Sequence, residues 1–321
     1  MGKIVILEGN AVNPGDISWA PVEALGEAVV YPNTTEKTKW EHIGDADIVL
    51  TNKIVIDEAV FSRFPQIRYV GVCATGYNVV DVIAARRRGI TVTNVPAYST
   101  QSVVQHTWAL LLELASKVGI HSDSVQRGDW VRSETFCYWL GPVVELAGKT
   151  MGIYGFGNIG RGVAAVARAM GLNVLVHTRH PEKYASYADG HLRFVDEDTF
   201  FRSSDILSFH CPLTPETRGL VCAENLAKAK DGVFVLNVAR GPVVVEQDLA
   251  DALHSGKVAG AGLDVVCEEP MVQNSPLLGA PHLVVTPHIA WASREARLRL
   301  VDVIASNLRA FQNGAPRNVV S

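Results

Sequence analysis

The chain is predicted to be an α/β protein built from two doubly wound blocks, and three observations predict it. Short β-branched runs alternate with helical patterns almost from end to end. Runs of that kind are what parallel strands buried on both faces look like in sequence. One long helical pattern near the middle separates a first βα series from a second.

The elements follow in order. Ile4 to Leu7, Ile48 to Leu50, Ile67 to Val72 and Thr91 to Thr93 read as strands, with helical content between them at Ala20 to Leu25 and Val79 to Arg88. From Ser102 the spacing of Val104, Trp108, Leu111, Leu112 and Ala115 predicts one helix running to about Gly119. An irregular stretch from Arg127 to Pro142 then carries Trp130, Phe136, Tyr138 and Trp139. Loops of that length are functional or lie at interfaces, and four large rings are poorly placed in water. An arm between subunits is expected, with packing onto its own subunit as the alternative. The second series has strands at Met151 to Gly155, Val174 to His177, Ile206 to Phe209, Val233 to Asn237, Ala259 to Asp264 and Leu283 to Thr286. A last helix, Arg294 to Gln312, places Leu298, Val301, Ile304, Leu308 and Phe311 on one face.

Composition narrows the function classes. A chain of 321 residues is long enough for two domains with cores of their own. Hydrophobic residues at 48% and charged residues at 19% are a globular balance. A net charge of -4 gives no reason to expect nucleic acid or an anionic membrane surface as partner. Arg86, Arg87 and Arg88 before Gly89 read as a solvated helix end, where cations are favoured. The apolar run after Met1 is too short for a signal sequence, and no run approaches the roughly 18 residues of a membrane span. The five cysteines have no C-x-x-C spacing, which suits reduced thiols in a cytoplasmic enzyme. No metal-ligand or acyl-transfer motif is present, so no metal is expected.

Gly155-Phe156-Gly157-Asn158-Ile159-Gly160 is a G-x-G-x-x-G segment directly after a predicted strand, and an amphipathic helix opens behind it. In a βαβ unit these glycines make a tight turn, let the backbone approach a pyrophosphate and pack helix on strand. The helix start offers free N–H groups to the phosphates. A unit selecting NAD(H) has Asp or Glu about 20 residues on, holding the ribose 2′-hydroxyl. Here the second strand ends His177-Thr178-Arg179-His180, without an acid. Arg179, with Thr178 or His180 beside it, could accept a 2′-phosphate, so NADP(H) is favoured and NAD(H) stays open.

Three further segments lie at strand ends, where open α/β sheets bind ligands. They are Asn237 to Pro242, Gly262 to Pro270 and Thr286 to Ala290. With Asn237 to Gly241 (N-x-x-R-G), Leu263 to Pro270 (L-D-V-x-x-x-E-P) and Thr286 to Trp291 (T-P-H-I-A-W), the chain resembles the D-2-hydroxyacid dehydrogenases. Within them it is most like the glycerate dehydrogenase, or hydroxypyruvate reductase, type. Ala74 to Asn78, Asn94 to Ser99 and Glu145 to Thr150 extend the likeness over nearly the whole chain.

The resemblance implies two doubly wound domains. A Rossmann cofactor domain, 102–290, is inserted into a discontinuous flavodoxin-like substrate domain, 1–101 and 291–321, with the active site in the cleft between them. It implies a homodimer. It also implies roles that the chemistry asks for. Arg240 would bind the carboxylate and polarise the carbonyl of a 2-keto acid. His288 would give the proton, being the side-chain type that titrates nearest neutral pH. Glu269 would orient the imidazole. Backbone at Thr75 and Gly76 would meet the substrate carboxylate, and His210 and Pro212 would line the cofactor pocket. Asp264 would sit near the nicotinamide carboxamide, or else cap a turn. His106 and Cys73 are expected in core or surface roles.

The expected reaction is reduction of hydroxypyruvate or glyoxylate to the D-2-hydroxy acid. Bulkier keto acids such as phenylpyruvate are an alternative, since one methylene in an apolar pocket shifts specificity by only ~1–3 kcal/mol. A cofactor-sensing corepressor is another, because that class can keep the same three residues.

Overall fold

The computed structural model describes residues 2–321. The chain divides into two compact units, Met1–Ser99 with Trp291–Ser321, and Thr100–Ala290.

In the first unit, β1 (Lys3–Ile6), β2 (Glu27–Val30), β3 (Ile48–Thr51), β4 (Tyr69–Val72) and β5 (Thr91–Thr93) form one parallel sheet in the order β2-β1-β3-β4-β5. That is the flavodoxin-like order. The central strands β3 and β4 are buried throughout, as suits sequences whose one polar residue without an apolar body is Thr51. Short helices connect the strands: α1 (Gly9–Val12), α2 (Ala20–Glu23), α3 (Lys39–Ile43), α4 (Glu58–Arg63) and α5 (Val82–Arg87). Asp57 and Asp81 start α4 and α5 by accepting from the N–H groups of Val60 and Ala84, the standard cap interaction. Val60, Phe61, Ala84 and Ala85 cover one face of the sheet. Residues of the C-terminal segment cover the other.

The second unit opens with α6 (Thr100–Ser116) and α7 (Val118–Gln126). The helix expected to reach Gly119 is broken at Lys117, which takes a left-handed conformation with φ 53°. The sheet follows, with β6 (Thr150–Tyr154), α8 (Asn158–Ala169), β7 (Asn173–His177), β8 (Leu192–Phe194), α9 (Glu197–Ser203) and β9 (Ile206–Phe209). It continues through α10 (Ala223–Lys228), β10 (Val233–Asn237), α11 (Glu246–Ser255), β11 (Val258–Leu263) and β12 (Leu283–Val285). The strands are parallel in the order β12-β11-β10-β9-β6-β7-β8, so the winding reverses between β6 and β9. Phe200, Phe201, Phe209, Leu249 and Leu253 fill one face. On the other, α6 lies close on β11. A Cβ at Gly262 would come 2.9 Å from the Cβ of Leu110, and one at Gly260 would come 3.1 Å from a methyl of Leu114. The two glycines are what let the helix approach.

The last helix, α12 (Arg294–Gln312), belongs to the first unit. Leu300, Val301, Ile304 and Leu308 pack with Ile4, Ile6, Trp19 and Tyr69. Arg297 fixes its start through two 2.6 Å contacts to the carboxylate of Asp16.

Candidate active site

The carboxyl ends of the second unit's strands carry most of the residues singled out in the sequence. Gly155 follows β6 at φ 94°, a conformation open to glycine, and a Cβ there would come 2.8 Å from the carbonyl oxygen of His210 after β9. The loop therefore sits at the point where the winding reverses, the ligand crevice of such sheets. Gly160 packs the start of α8 on the turn, since its missing Cβ would fall 2.1 Å from the Gly155 carbonyl oxygen. Gly157 has open space where a side chain would be, and no side chain caps α8. Asn158 and Ile159 begin the helix, so its first N–H groups are left for a ligand. A dinucleotide pyrophosphate fits this cradle.

At the end of β7, Thr178 is half-buried while Arg179 and His180 are exposed. Arg179 is 3.7 Å from Glu216, and His180 is 3.2 Å from Glu182. After β9, His210 pairs with Ser208 at 2.8 Å through Nε2, while its buried Nδ1 has no partner. Burial pushes this imidazole down to about 3, so the ring is neutral. Pro212 is exposed two residues on. Arg161 was missed by sequence reasoning. Its guanidinium bonds Asn158 Oδ1 at 2.5 Å and the Tyr187 hydroxyl at 3.1 Å. The signal available was a cation in the opening turns of a helix, where the dipole disfavours one.

The β10 end presents Arg240. Buried Asn237 shapes that turn, accepting from the Ala239 N–H at 3.0 Å and donating to the Arg240 carbonyl at 2.9 Å. Gly241 brings this turn against the segment after β11, because a Cβ there would fall 1.8 Å from the carbonyl oxygen of Val266. Glu269 lies in that same segment, and its Oε2 is 2.7 Å from His288 Nδ1. A carboxylate oxygen accepts, so Nδ1 carries the hydrogen and Nε2 is the nitrogen left to exchange a proton. Arg240 is exposed, and His288 and Glu269 are about one-third exposed at their side chains, 28% and 32%. Such an arrangement offers a forked cation and an oriented imidazole, a set able to bind a carboxylate and move a proton.

Asp264 directly follows β11. It is only 1% exposed, and its oxygens already accept from the Thr286 hydroxyl at 2.6 Å and from the Ile289 and Ala290 N–H groups at 2.8 Å each. Its bonds in this structure are those of a cap on the segment that bears His288. His106 is half-buried, and its Nε2 is 2.8 Å from the Thr286 hydroxyl. Cys73 is core: it is buried, and burial pushes its thiol well above the usual range.

In the first unit, Thr75 and Gly76 stand in the loop after β4. The Thr75 hydroxyl donates to the Val95 carbonyl at 2.9 Å, and Asn94 donates to the Thr75 carbonyl at 2.7 Å. Thr75 is exposed and Gly76 half-buried. Among the described residues no helix is long and apolar enough to cross a membrane.

A Rossmann sheet with a phosphate loop at its reversal point and an oriented imidazole at its strand ends defines a nicotinamide-dependent oxidoreductase. Residues 108–290 match the model of the D-isomer specific 2-hydroxyacid dehydrogenase NAD binding domain. The chain belongs to the D-isomer specific 2-hydroxyacid dehydrogenase family. It is 50% identical to a hydroxypyruvate reductase of Blautia hydrogenotrophica over 99% of both chains. It is 39% identical to a glycerate dehydrogenase of Methylorubrum extorquens over 87% of both. Among solved structures, it resembles an NADPH-dependent glyoxylate/hydroxypyruvate reductase of Sinorhizobium meliloti in complex with NADP and malonate. That likeness has 29% identity and a TM-score of 0.83, over 100% of this chain and 97% of that one.

Proposed function

We propose that the protein reduces a small 2-keto acid, hydroxypyruvate or glyoxylate, to the D-2-hydroxy acid. The observation that carries the proposal is the 2.7 Å contact of His288 with Glu269, in the unit that also holds the phosphate loop. A reduced nicotinamide dinucleotide held at the Gly155, Gly157 and Gly160 loop would supply the hydride. Arg240 binds the substrate carboxylate and polarises the carbonyl through its forked donors. His288 gives its Nε2 proton to the carbonyl oxygen as the new C–H bond forms, and ends neutral. Glu269 keeps Nδ1 engaged and the ring in place. Backbone at Thr75 and Gly76 completes carboxylate binding, which makes the first unit the substrate domain and the second the cofactor domain.

NADP(H) is the preferred cofactor in this reading. The β7 end has Arg179 and no carboxylate of its own, and the Sinorhizobium relative is NADPH-dependent. The exposed aromatic arm supports a homodimer, and five free cysteines support a reducing, cytoplasmic compartment. The test is to follow nicotinamide absorbance with hydroxypyruvate, glyoxylate, pyruvate and phenylpyruvate, using NADPH and NADH in turn. Turnover confined to phenylpyruvate would keep the mechanism and discard the substrate. Cofactor binding without turnover on any acid would reject the enzyme reading.

A further inference from the structure

The segment Thr286–Ala290 holds His288 in an unusual backbone. His288 has φ 55°, and its N–H reaches back to the Thr286 carbonyl at 2.9 Å. A non-glycine residue gains nothing from that conformation by itself, so its surroundings must impose it. Asp264 accounts for part of this by accepting from the two N–H groups after His288. The rest comes from α6. Ser102 donates to the carbonyl of Ala290 at 2.6 Å, at one end of the segment. One turn further along the same helix, His106 meets the Thr286 hydroxyl at 2.8 Å, at the other end. The hydroxyl's one hydrogen goes to the Asp264 carboxylate at 2.6 Å, so it accepts from His106 Nε2–H, and the His106 tautomer is fixed.

We infer that Ser102 and His106 are positioning residues that clamp both ends of the His288 segment and hold the imidazole in its reactive pose. The spacing suits the task, since residues four apart on a helix share a face. So does the mounting. The later half of α6 is seated on β11 through Gly260 and Gly262, and β11 leads directly into Asp264. The helix is thus a rigid backing for a strained loop. This inference rests on reading His288 as the proton donor, because a displacement of the order of 1 Å can cost about 10²-fold in rate.

The experiment compares His106→Phe, His106→Gln and Ser102→Ala by two readouts. In the cofactor-free protein, hydrogen exchange of the 288–290 amides should be about tenfold faster in His106→Phe. In steady-state assays kcat should fall by about 10- to 10²-fold, with keto-acid KM and the Kd for NADPH by fluorescence titration unchanged. His106→Gln, whose amide nitrogen can stand in for Nε2, should restore both. Ser102→Ala removes only a hydroxyl, and should loosen the segment from its other end even if His106→Phe fails to fold. Wild-type exchange and kcat in His106→Phe or Ser102→Ala would overturn the inference, as would a Gln variant as impaired as the Phe variant. Full turnover in His288→Ala would instead overturn the assigned proton donor, while the exchange data would still report on the clamp.

Discussion

His288, Glu269 and Arg240 were conspicuous in the sequence because each lies in a short motif beyond the end of a strand. His106 was not. Nothing in its own neighbourhood, Val104-Gln105-His106-Thr107, distinguishes it from a helix-surface histidine. Its partner lies 180 residues away and meets it only because α6 docks beside β12. Asp264 was legible as a residue with two candidate roles, cofactor contact or turn cap, and its bonds to the 289 and 290 N–H groups are those of the cap. His288→Ala should lower kcat by a factor on the order of 10²–10⁴, read under conditions where chemistry limits the rate. Arg179→Asp should weaken NADPH binding far more than NADH binding in fluorescence titrations. Glu216→Gln should do the reverse for NADPH, because Glu216 is the carboxylate 3.7 Å from Arg179 and competes with a 2′-phosphate. Equal effects on both cofactors would reject a role for Arg179 in recognising that phosphate.

Among the elements, buried strands were easier to read than edge strands. Ile48 to Leu50 is apolar without a break and Ile206 to Phe209 is interrupted only by Ser208, and both became fully buried strands. Glu27–Val30 and Leu192–Phe194 went unrecognised. Both are short edge strands, partly exposed along their length, without the continuous burial of the central strands. The break at Lys117 was also invisible, since a lysine in a left-handed conformation has no sequence marker. The contact between the β10 turn and the β11 turn is a property of elements, and Gly241 controls it. Gly241→Ala should force the turns apart and lower kcat/KM, because its Cβ would fall 1.8 Å from the Val266 carbonyl oxygen. A variant with unchanged kinetics would show that the turns can part without moving Arg240 or Glu269. Leu300 of α12 is fully buried, and Leu300→Ala should cost about 2–5 kcal/mol in denaturant unfolding.

For the whole molecule, the arm after α7 bears on assembly. Phe136 is 88% exposed, Trp139 70% and Trp130 51%, more aromatic surface than a solitary chain ordinarily shows. The arm is nevertheless ordered by its own bonds, with Trp130 donating to the Phe136 carbonyl at 3.0 Å and Tyr138 meeting Ser124 at 2.9 Å. If this surface joins two copies, Phe136→Glu with Trp139→Glu should sediment as a monomer where the wild type sediments as a dimer. Acid should also act on the fold through His210. Its folded value of about 3 lies below the ordinary 6.5, so between those values the unfolded chain binds more protons. Stability is therefore fullest above about 6.5 and is lost as pH falls toward 3. Urea midpoints of His210→Gln should decline less steeply across that window than those of the wild type.

The role of His288 in keto-acid reduction is tested most directly by the rate of NADPH oxidation with hydroxypyruvate, measured side by side for the wild-type protein and His288→Ala. Rapid oxidation by the wild type is expected, with a loss on the order of 10²-fold or more in the variant and NADPH binding retained. A wild-type protein that binds NADPH and leaves hydroxypyruvate and glyoxylate unreduced would contradict it, as would a His288→Ala variant that turns over at the wild-type rate.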